Sequence, residues 1–423
     1  MKVVTVHRGA RDNYQVARGL SEAGMLEALV TDMYWPGDRG WAAAIERLAP
    51  RKVSGALRSR SESSLPSRLV TSCWRSGLYS LGLSKARRVS FEKMRDAVRN
   101  CDRELGRRAG ELATERGAAL LSYSYYGHSA FTSYSGGLPR MLFQLHPHPG
   151  GVREILLAER ELHPECAASL DKEWELALST EDFNHLVRES AMPEHWLVAS
   201  SFSKQTLVDA GSPAARIHVI PYGTDLSRFT PRKTGPVAGR PLQLLFVGTL
   251  GQRKGITYLL EAVNMLPAGS VELTVCGRAV DGLELFRQSR MPIRLRPSVS
   301  AQELLAAYQS ADVFVFPSLA EGFGHVLLEA MACGLPIVST TRTAAPDLID
   351  HGKEGFVTDP GNSVQVATCI EYFLQHPERI VTMGEAARRR AAHFTWDRFR
   401  RNVTEAVSGI LEPSMSAGAH QYV

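Results

Sequence analysis

The stretch from Pro317 to Pro336 carries glutamates and glycines with the types and spacing of a site for a phosphorylated sugar. It reads PSLAEGFGHVLLEAMACGLP, where a buried strand is expected to end before it and a helix to start near Gly324. The free N–H groups and the dipole of a helix start favour an anion such as a diphosphate. Glu321 precedes this helix and Glu329 lies roughly 9 Å further along it. Each carboxylate is therefore spaced to bind hydroxyls at one end of a ligand that joins a sugar to a ribose through a diphosphate. A helix cap at Glu321 and a surface ion pair at Glu329 fit the spacing equally well.

A second stretch with a chemical signal is a glycine-rich loop between an expected strand and helix. It reads FVGTLGQRKGI from Phe246 to Ile256, and it places Arg253 and Lys254 beside each other at the helix start. Two cations there would face an anion that the helix end already favours. The spacing is not that of a Walker loop, and a solvated pair of cations is the other interpretation.

Two further motifs, IPYGTD at 220–225 and FTW at 394–396, say nothing about function by themselves. Together with the E-x7-E pair and the R-K-G loop, and in the same order, they resemble the large glycosyltransferase family 4, which has the two-domain GT-B fold. The resemblance covers the chain from about Ala191 to Phe399. It implies a retaining transfer of a sugar from a nucleoside diphosphate sugar, and a final helix that crosses back to the N-terminal domain.

Site roles follow from the resemblance, position by position. Glu321 would contact the hydroxyls of the donor sugar and Glu329 the ribose, while Arg253 and Lys254 would neutralise charge on the leaving diphosphate. Stabilising charge where it develops in the transition state is a large catalytic effect. The residues expected to bind the donor are Gly9, Gly248, Thr249, Gly322, Phe323, Gly324, His325, Val326 and Glu329. Neither a metal nor another cofactor is expected, since the sequence has no D-x-D motif, and no carboxylate is nominated as a nucleophile.

The N-terminal half matches the family less well. Relatives often have a histidine just past a mid-domain strand, and His146 fits that place better than His148, although either could be structural. Where many members have a Gly-Gly loop after the first strand, this chain has HRGAR at 7–11, in which Gly9 can still approach a phosphate closely. Thr249 stands where many relatives have an arginine, whose charge Arg253 could replace. Asp347 stands where relatives usually have a glutamate.

The elements that must position these residues are predicted from hydrophobic patterning. Apolar strands alternate with amphipathic helices along two parts of the chain, a pattern that predicts two doubly wound parallel sheets of α/β class. The expected elements include a helix from about 12 to 22 and strands at 118–126, 242–247, 271–276 and 293–296. The first domain is expected at 1–230, with 395–411 packing back on it, and the second at 241–393. A Pro- and Gly-rich linker from Thr230 to Pro241 separates them, and a disordered tail is expected from Glu412. Two such domains place the carboxyl ends of their strands at a shared crevice.

Composition narrows the class of protein. The chain of 423 residues is 44% hydrophobic and 22% charged, which is ordinary for a globular protein. No stretch is long and apolar enough for a membrane-spanning helix, and the apolar run at the start of the sequence is too short for a signal peptide. Six widely separated cysteines without a C-x-x-C pair predict neither a disulfide framework nor a zinc site. A reducing cytosol is the expected compartment.

Positive charge is concentrated in one segment. Between Arg51 and Gly110 there are 15 Lys or Arg against 5 Asp or Glu, so the rest of the chain carries a net negative charge although the total is +5. Within it, residues 64–108 mix leucines, Trp74 and Tyr79 with cations. This mixture is typical of a contact with an anionic membrane, and relatives that act on lipid-linked acceptors support that interpretation. Ordinary surface helices with a basic face are the alternative. Nucleic acid is not an expected partner, because no recognition motif accompanies the charge.

These observations predict a retaining GT-B glycosyltransferase, located in the cytosol or peripherally on the inner face of the membrane. It would use a UDP-, GDP- or ADP-sugar and a glycan, a lipid-linked saccharide or a small molecule as acceptor. Two alternatives are a binding protein that kept the fold but lost turnover, and a GT-B sugar-nucleotide epimerase. An epimerase would change a sugar nucleotide with no acceptor present.

Overall fold

The structure is a computed structural model that describes residues 1–78, 91–231, 239–280, 286 and 289–412. Three sequence predictions lie partly outside these residues. They are the middle of the basic segment (79–90), most of the linker (232–238) and the tail (413–423).

The first sheet holds the strands of residues 3–219, all parallel, in the order β3-β2-β1-β4-β5-β6-β7. Its inner strands are fully buried apolar runs, as a sheet covered on both faces requires. Its strands are β1 Val3–Val6, β2 Leu26–Thr31, β3 Val70–Ser72, β4 Ala119–Tyr123, β5 Arg140–Gln144, β6 His195–Val198 and β7 Ile217–Val219.

The second sheet is also parallel and has the order β10-β9-β8-β11-β12-β13. Its central strands β8 and β11 are neighbours, so the loops that follow them open at the same edge. Its strands are β8 Leu242–Val247, β9 Val271–Cys276, β10 Ile293–Arg296, β11 Val313–Phe316, β12 Ile337–Thr340 and β13 Gly355–Thr358.

Helices connect the strands and cover the two sheets. In the N-terminal half they are α1 Gln15–Glu22, α2 Gly40–Leu48, α3 Arg51–Arg58, α4 Phe91–Glu115, α5 Gly127–Thr132, α6 Pro149–Leu162, α7 Ala167–Leu170, α8 Trp174–Ala177, α9 Thr180–Ala191 and α10 Ser201–Asp209. In the C-terminal half they are α11 Ile256–Met265, α12 Ala301–Ser310, α13 His325–Ala332, α14 Ala345–Leu348, α15 Ser363–Gln375, α16 Glu378–Ala391 and α17 Trp396–Leu411. The predicted fold class, two doubly wound α/β domains, is confirmed.

The last helix, α17, crosses back and packs against α1 of the first domain. Arg400 on α17 donates hydrogen bonds to Gln15 Oε1 at 2.6 Å and Glu22 Oε2 at 2.9 Å. At the start of the crossing, Thr224 and Thr395 form a parallel bridge. The crossing predicted from the family resemblance is therefore present, and it ties the end of the described chain to its beginning.

Within the described residues, none of the helices combines the length and the apolar character needed to cross a lipid bilayer.

Candidate active site

A cleft lies between the two sheets, at the carboxyl ends of their strands, and has two adjoining chambers. The first measures about 660 Å³ and the second about 710 Å³. Ala10, Asp12 and His325 line both chambers and so mark where they meet. This is the place where doubly wound folds bind ligands.

The centre of the first chamber is an ion pair between Lys254 and Glu321. The two residues come from the loops after the neighbouring strands β8 and β11, which bring Nζ of Lys254 into contact with Glu321 Oε2. Burial, together with the neighbouring charge of Arg253, lowers the pKa of Lys254. Glu321 supplies the opposite charge that a buried ammonium needs.

Arg253 is fixed by both domains. Its Nε lies 2.7 Å from Glu173 Oε2, which belongs to the N-terminal domain, and its Nη1 donates to the carbonyl of Ala320 at 2.9 Å. The same Nη1 lies 3.7 Å from Glu321 Oε2. Two cations and Glu321 thus converge on one wall of the chamber, where an incoming anion would compete for the cations, while Glu173 contacts Arg253 from outside the lining.

Backbone groups of the loop after β11 form the next part of the wall. Phe323, Gly324, His325 and Val326 all line the first chamber, and helix α13 starts at His325. No side chain caps this helix start among the described residues. The first N–H groups of a helix have no partner inside it, so an anion in the chamber could accept from them.

Glu329 lies one turn into α13 and faces the second chamber. Its Oε2 accepts a hydrogen bond of 2.8 Å from the hydroxyl of Tyr308, whose ring is fully buried. Burial raises the pKa of Glu329, and the Tyr308 hydrogen bond opposes that rise. Tyr308 therefore orients one carboxylate oxygen and leaves the other for a ligand.

His146 lines the first chamber from the N-terminal domain, just past the end of β5. Burial, reinforced by the charges of Arg253, Arg11 and Lys254, lowers the pKa of His146 to about 3. The imidazole is therefore neutral near pH 7, where it can donate or accept a hydrogen bond but cannot act as a cation. His148, the weaker candidate, instead caps α6 by accepting from the N–H of Gly150.

Comparison with known protein families identifies what the C-terminal part of the chain is similar to. Residues 228–390 match the sequence model of the family described as Glycosyl transferases group 1. Over these 163 of its 423 residues, the chain is similar to this glycosyltransferase family. Of the motifs that carried the resemblance, Arg253-Lys254 and the pair Glu321 and Glu329 lie within the matched residues, whereas IPYGTD at 220–225 and FTW at 394–396 lie just outside them.

Curated relatives agree with this assignment. The D-inositol 3-phosphate glycosyltransferase of Pseudarthrobacter chlorophenolicus is 33% identical over 216 residues, which cover 47% of this chain and 51% of the relative. The sulfoquinovosyl transferase SQD2 of Arabidopsis thaliana is 32% identical over 214 residues, 47% of this chain and 41% of the relative. The matched region thus spans about half the length of these relatives, or less.

Solved glycosyltransferase structures share the whole fold. Sucrose-phosphate synthase from Thermosynechococcus elongatus gives a TM-score of 0.63 at 18% identity and covers 97% of this chain and 99% of its own. HepE of Anabaena in complex with UDP gives 0.60 at 16% identity, with 97% and 100% covered. At such low identity the likeness concerns the fold alone, and it confirms the GT-B architecture across both halves of the chain.

Most of the residues predicted for the site line the cleft. The first chamber contains Glu321, Arg253, Lys254, His146, Gly248, Thr249, Phe323, Gly324, His325 and Val326, and the second contains Glu329 and His325. Their roles toward a donor remain predictions.

Gly322 and Gly9 lie outside the lining of both chambers. The carbonyl of Gly322 accepts hydrogen bonds from Ser200 and Ser203 of the other domain, and a Cβ at Gly322 would stand 2.3 Å from the carbonyl oxygen of Leu145. Gly322 therefore lets the domains approach closely. The N–H of Gly9, predicted to approach a phosphate, instead donates to Asp32 Oδ1 at 2.8 Å.

Asp347, a departure from the family pattern, also joins the two domains. Its Oδ2 accepts from the N–H of Ser201 at 2.9 Å, and its Oδ1 accepts from the hydroxyl of the same serine. Because Ser201 begins α10, Asp347 binds the start of that helix from the opposite domain, where a carboxylate is favoured.

Sequence analysis missed several residues that line the cleft. Tyr222, in the IPYGTD turn, stacks on His325 with ring centroids 4.5 Å apart. Arg11 and Asp12 follow β1, and a run of left-handed backbone from Asp12 to Tyr14 directs the chain into α1. The departure of this loop from the family's Gly-Gly pattern was the only signal, and it did not say which side chains reach the cleft.

A metal site was not predicted. Among the described residues, no group of three or more His, Cys, Asp or Glu side chains is arranged to hold a metal ion.

Proposed function

We propose that this protein transfers a sugar from a nucleoside diphosphate sugar to an acceptor hydroxyl, with retention of the anomeric configuration and without a metal ion. The observation that carries the proposal is Glu321, which faces the cleft while Arg253 and Lys254 hold it in place. In this proposal the carboxylate binds sugar hydroxyls, and the two cations neutralise the charge of the phosphate that leaves. Preorganised charges of this kind stabilise a transition state in which negative charge grows on the leaving group.

The donor would lie across both chambers. Glu329 at the second chamber would accept hydrogen bonds from the ribose hydroxyls, and the N–H groups at the start of α13 would donate to the diphosphate. UDP-sugars are the first donors to test, because the structures of HepE with UDP and with UDP-glucose share this fold. GDP- and ADP-sugars remain open.

The acceptor is a glycan, a lipid-linked saccharide or a small molecule. Proteins similar to this chain include a D-inositol 3-phosphate glycosyltransferase and a lipopolysaccharide outer core galactosyltransferase. Both small and polymeric acceptors are therefore worth testing. The cytosolic location remains a prediction, and it agrees with six cysteines that form no disulfide within the part of the chain that the structure describes.

Thermal unfolding with UDP, GDP, ADP or no ligand, first without and then with magnesium, tests this proposal. A nucleotide at 100 times its dissociation constant stabilises the protein by about 2.7 kcal/mol. For a domain of this size each kcal/mol raises the unfolding temperature by about 2–4 °C, so we expect a rise of roughly 5–10 °C with one of the three nucleotides in the absence of metal. No shift with any nucleotide would contradict the proposed donor class, and a shift that requires magnesium would contradict metal independence. Turnover of a sugar nucleotide without an acceptor to a new sugar would favour the epimerase, and binding without any turnover would favour the silent binding protein.

We also propose a peripheral contact with an anionic membrane through residues 64–108. Trp74 and Leu78 in this segment have exposures of 37% and 55%. Several of its arginines are already paired with carboxylates, as Arg99 is with Asp182 and Arg107 with Glu111. Apolar contact is thus expected to contribute as much as charge.

Co-sedimentation with vesicles of phosphatidylglycerol and phosphatidylcholine tests this contact. We expect Trp74→Ser to weaken binding by at least about fivefold, because burying one large apolar side chain is worth about 1.5–3 kcal/mol. Val364→Ser, at an exposed apolar residue of the other domain, is the matched control and should change nothing. Equal sedimentation of wild type with and without phosphatidylglycerol, or unchanged binding by Trp74→Ser, would exclude this surface.

A further inference from the structure

Arg11 brings a third cation to the first chamber, from the domain opposite Arg253 and Lys254. It lies in the loop after β1 and lines the same chamber as Arg253, Lys254 and His146. Nothing in the family motifs singles it out, and the loop that holds it departs from the family's usual Gly-Gly sequence.

The three cations differ in what balances their charge. Lys254 contacts Glu321, and Arg253 contacts Glu173. Among the described residues Arg11 has no ion pair with a carboxylate. Its guanidinium carbon lies 6.0 Å from the ring centroid of Tyr125, and the side chain lies beside Tyr126. The charge of Asp102 also acts on Arg11, but the carboxylate of Asp102 contacts Arg8, with 3.4 Å between Oδ1 and Nε.

The adjacent carboxylate, Asp12, binds other groups and not the guanidinium of Arg11. It accepts hydrogen bonds from the hydroxyl of Tyr123 at 2.5 Å and from the N–H groups of Gln15 and Val16 at 3.1 and 3.4 Å, which caps the start of α1. The guanidinium of Arg11 is therefore half-buried at the cleft with its charge not neutralised by a contacting carboxylate. A half-buried cation of this kind favours an anionic ligand.

His146 shows that the three charges converge on one place. The positive charges of Arg253, Arg11 and Lys254 all act on its imidazole and lower its pKa. His146 lies between the domains, so the space beside it faces cations from both sides.

We propose that Arg11 binds the distal phosphate of the donor, the phosphate that carries the sugar, opposite Arg253 and Lys254. This inference rests on the proposed function and names an additional binding and catalytic residue for it. A guanidinium can bind two phosphate oxygens at once, and its charge does not depend on pH in the physiological range. Because Arg11 belongs to the N-terminal domain, the diphosphate would bridge the two domains when it binds.

Calorimetric titration of the full chain with UDP and with UMP tests the inference, since only UDP has the distal phosphate. If the thermal scan selects GDP or ADP, the corresponding diphosphate and monophosphate replace them. We expect Arg11→Ala to weaken UDP binding by about 10- to 100-fold and UMP binding by less than about threefold. Arg11→Lys should recover part of the UDP affinity. The matched control is Arg18→Ala, which removes the same charge from helix α1 at a residue paired with Glu22 and away from both chambers.

The outcomes separate this inference from the proposed function. Wild-type UDP affinity in Arg11→Ala, or an equal loss of UDP and UMP affinity, would overturn the assignment of Arg11 while leaving the proposed function intact. A wild-type protein that binds none of the three diphosphates would overturn both. Far-ultraviolet circular dichroism spectra of both Arg11 variants that match wild type show that an altered affinity does not come from unfolding.

Discussion

Replacing Glu321 with alanine or glutamine is expected to abolish sugar transfer while the protein keeps its fold. Glutamine keeps the shape of the side chain but cannot accept hydrogen bonds with a charged oxygen. Losing one preorganised electrostatic group of this kind costs about 10²–10³ in rate. The assay measures release of the nucleoside diphosphate from its sugar, first in single turnover. This readout does not require the acceptor to be identified.

The control for Glu321 is Glu173→Gln. Both carboxylates contact the adjacent cations, Glu173 at Arg253 and Glu321 at Lys254, but only Glu321 lines the cleft. If the role of Glu321 were only to neutralise these cations, the two variants would lose similar activity. We expect Glu173→Gln to lose less than about tenfold, because a partly exposed pair contributes little.

Turnover by Glu321→Gln at the wild-type rate would remove Glu321 from the mechanism. A further check is the affinity for the free nucleoside diphosphate, which should not fall in Glu321→Gln. In this variant the distal phosphate of the nucleotide would contact Arg253 and Lys254, whose charge residue 321 no longer neutralises. A large loss of nucleotide affinity would assign Glu321 to the diphosphate site instead of the sugar.

The second domain could be predicted closely from the sequence because its central strands β8, β11 and β12 are almost fully buried. A parallel strand covered on both faces is an uninterrupted apolar run, and its ends are then easy to recognise. The predicted strands Leu242–Val247 and Val271–Cys276 match the observed bounds. Ile293–Arg296 also matches, although it is an edge strand in which apolar residues alternate with exposed arginines. The short edge strand β3 was missed, because its residues Val70–Ser72 are only half-buried and lie in the basic segment.

The first domain was predicted less precisely where the backbone departs from regular conformations. The strand expected from Ala118 to Tyr126 ends at Tyr123, because Tyr125 adopts a left-handed conformation at φ 82°. Likewise α1 starts at Gln15 and not at Asp12, after three left-handed residues. Hydrophobic periodicity carries no information about such turns, since they are set by the packing around the cleft.

In the candidate site, too, some residues could be predicted from the sequence and others could not. Arg253, Lys254, Glu321 and Glu329 lie in compact motifs of one domain, where spacing along the chain indicates the chemistry. Arg11 and Tyr222 reach the cleft only because the two domains face each other. Their placement depends on tertiary contacts between distant segments, such as the return of α17 to α1, and no local pattern encodes it.

The largest expected effect on stability is that of Gly255→Ala, which tests how the Arg253-Lys254 pair is positioned. Gly255 follows the two cations, adopts φ 71°, and a Cβ there would stand 2.0 Å from the carbonyl oxygen of Pro317. Alanine therefore combines an unfavourable left-handed backbone with a collision between the loops after β8 and β11. We expect a loss of about 2–4 kcal/mol in unfolding free energy, measured by urea unfolding followed by circular dichroism.

Gly269→Ala separates the two contributions. Gly269 has nearly the same backbone conformation, at φ 75°, but no atom lies within 4 Å of the added Cβ. It should therefore lose only the backbone term, about 1–2 kcal/mol, and bind nucleotide normally. In Gly255→Ala the loops must move apart to relieve the collision, which shifts Arg253 and Lys254 away from Glu321 and weakens nucleotide binding as well. Equal losses of stability in the two variants, with nucleotide affinity unchanged, would show that the close approach at Pro317 does not position the cations.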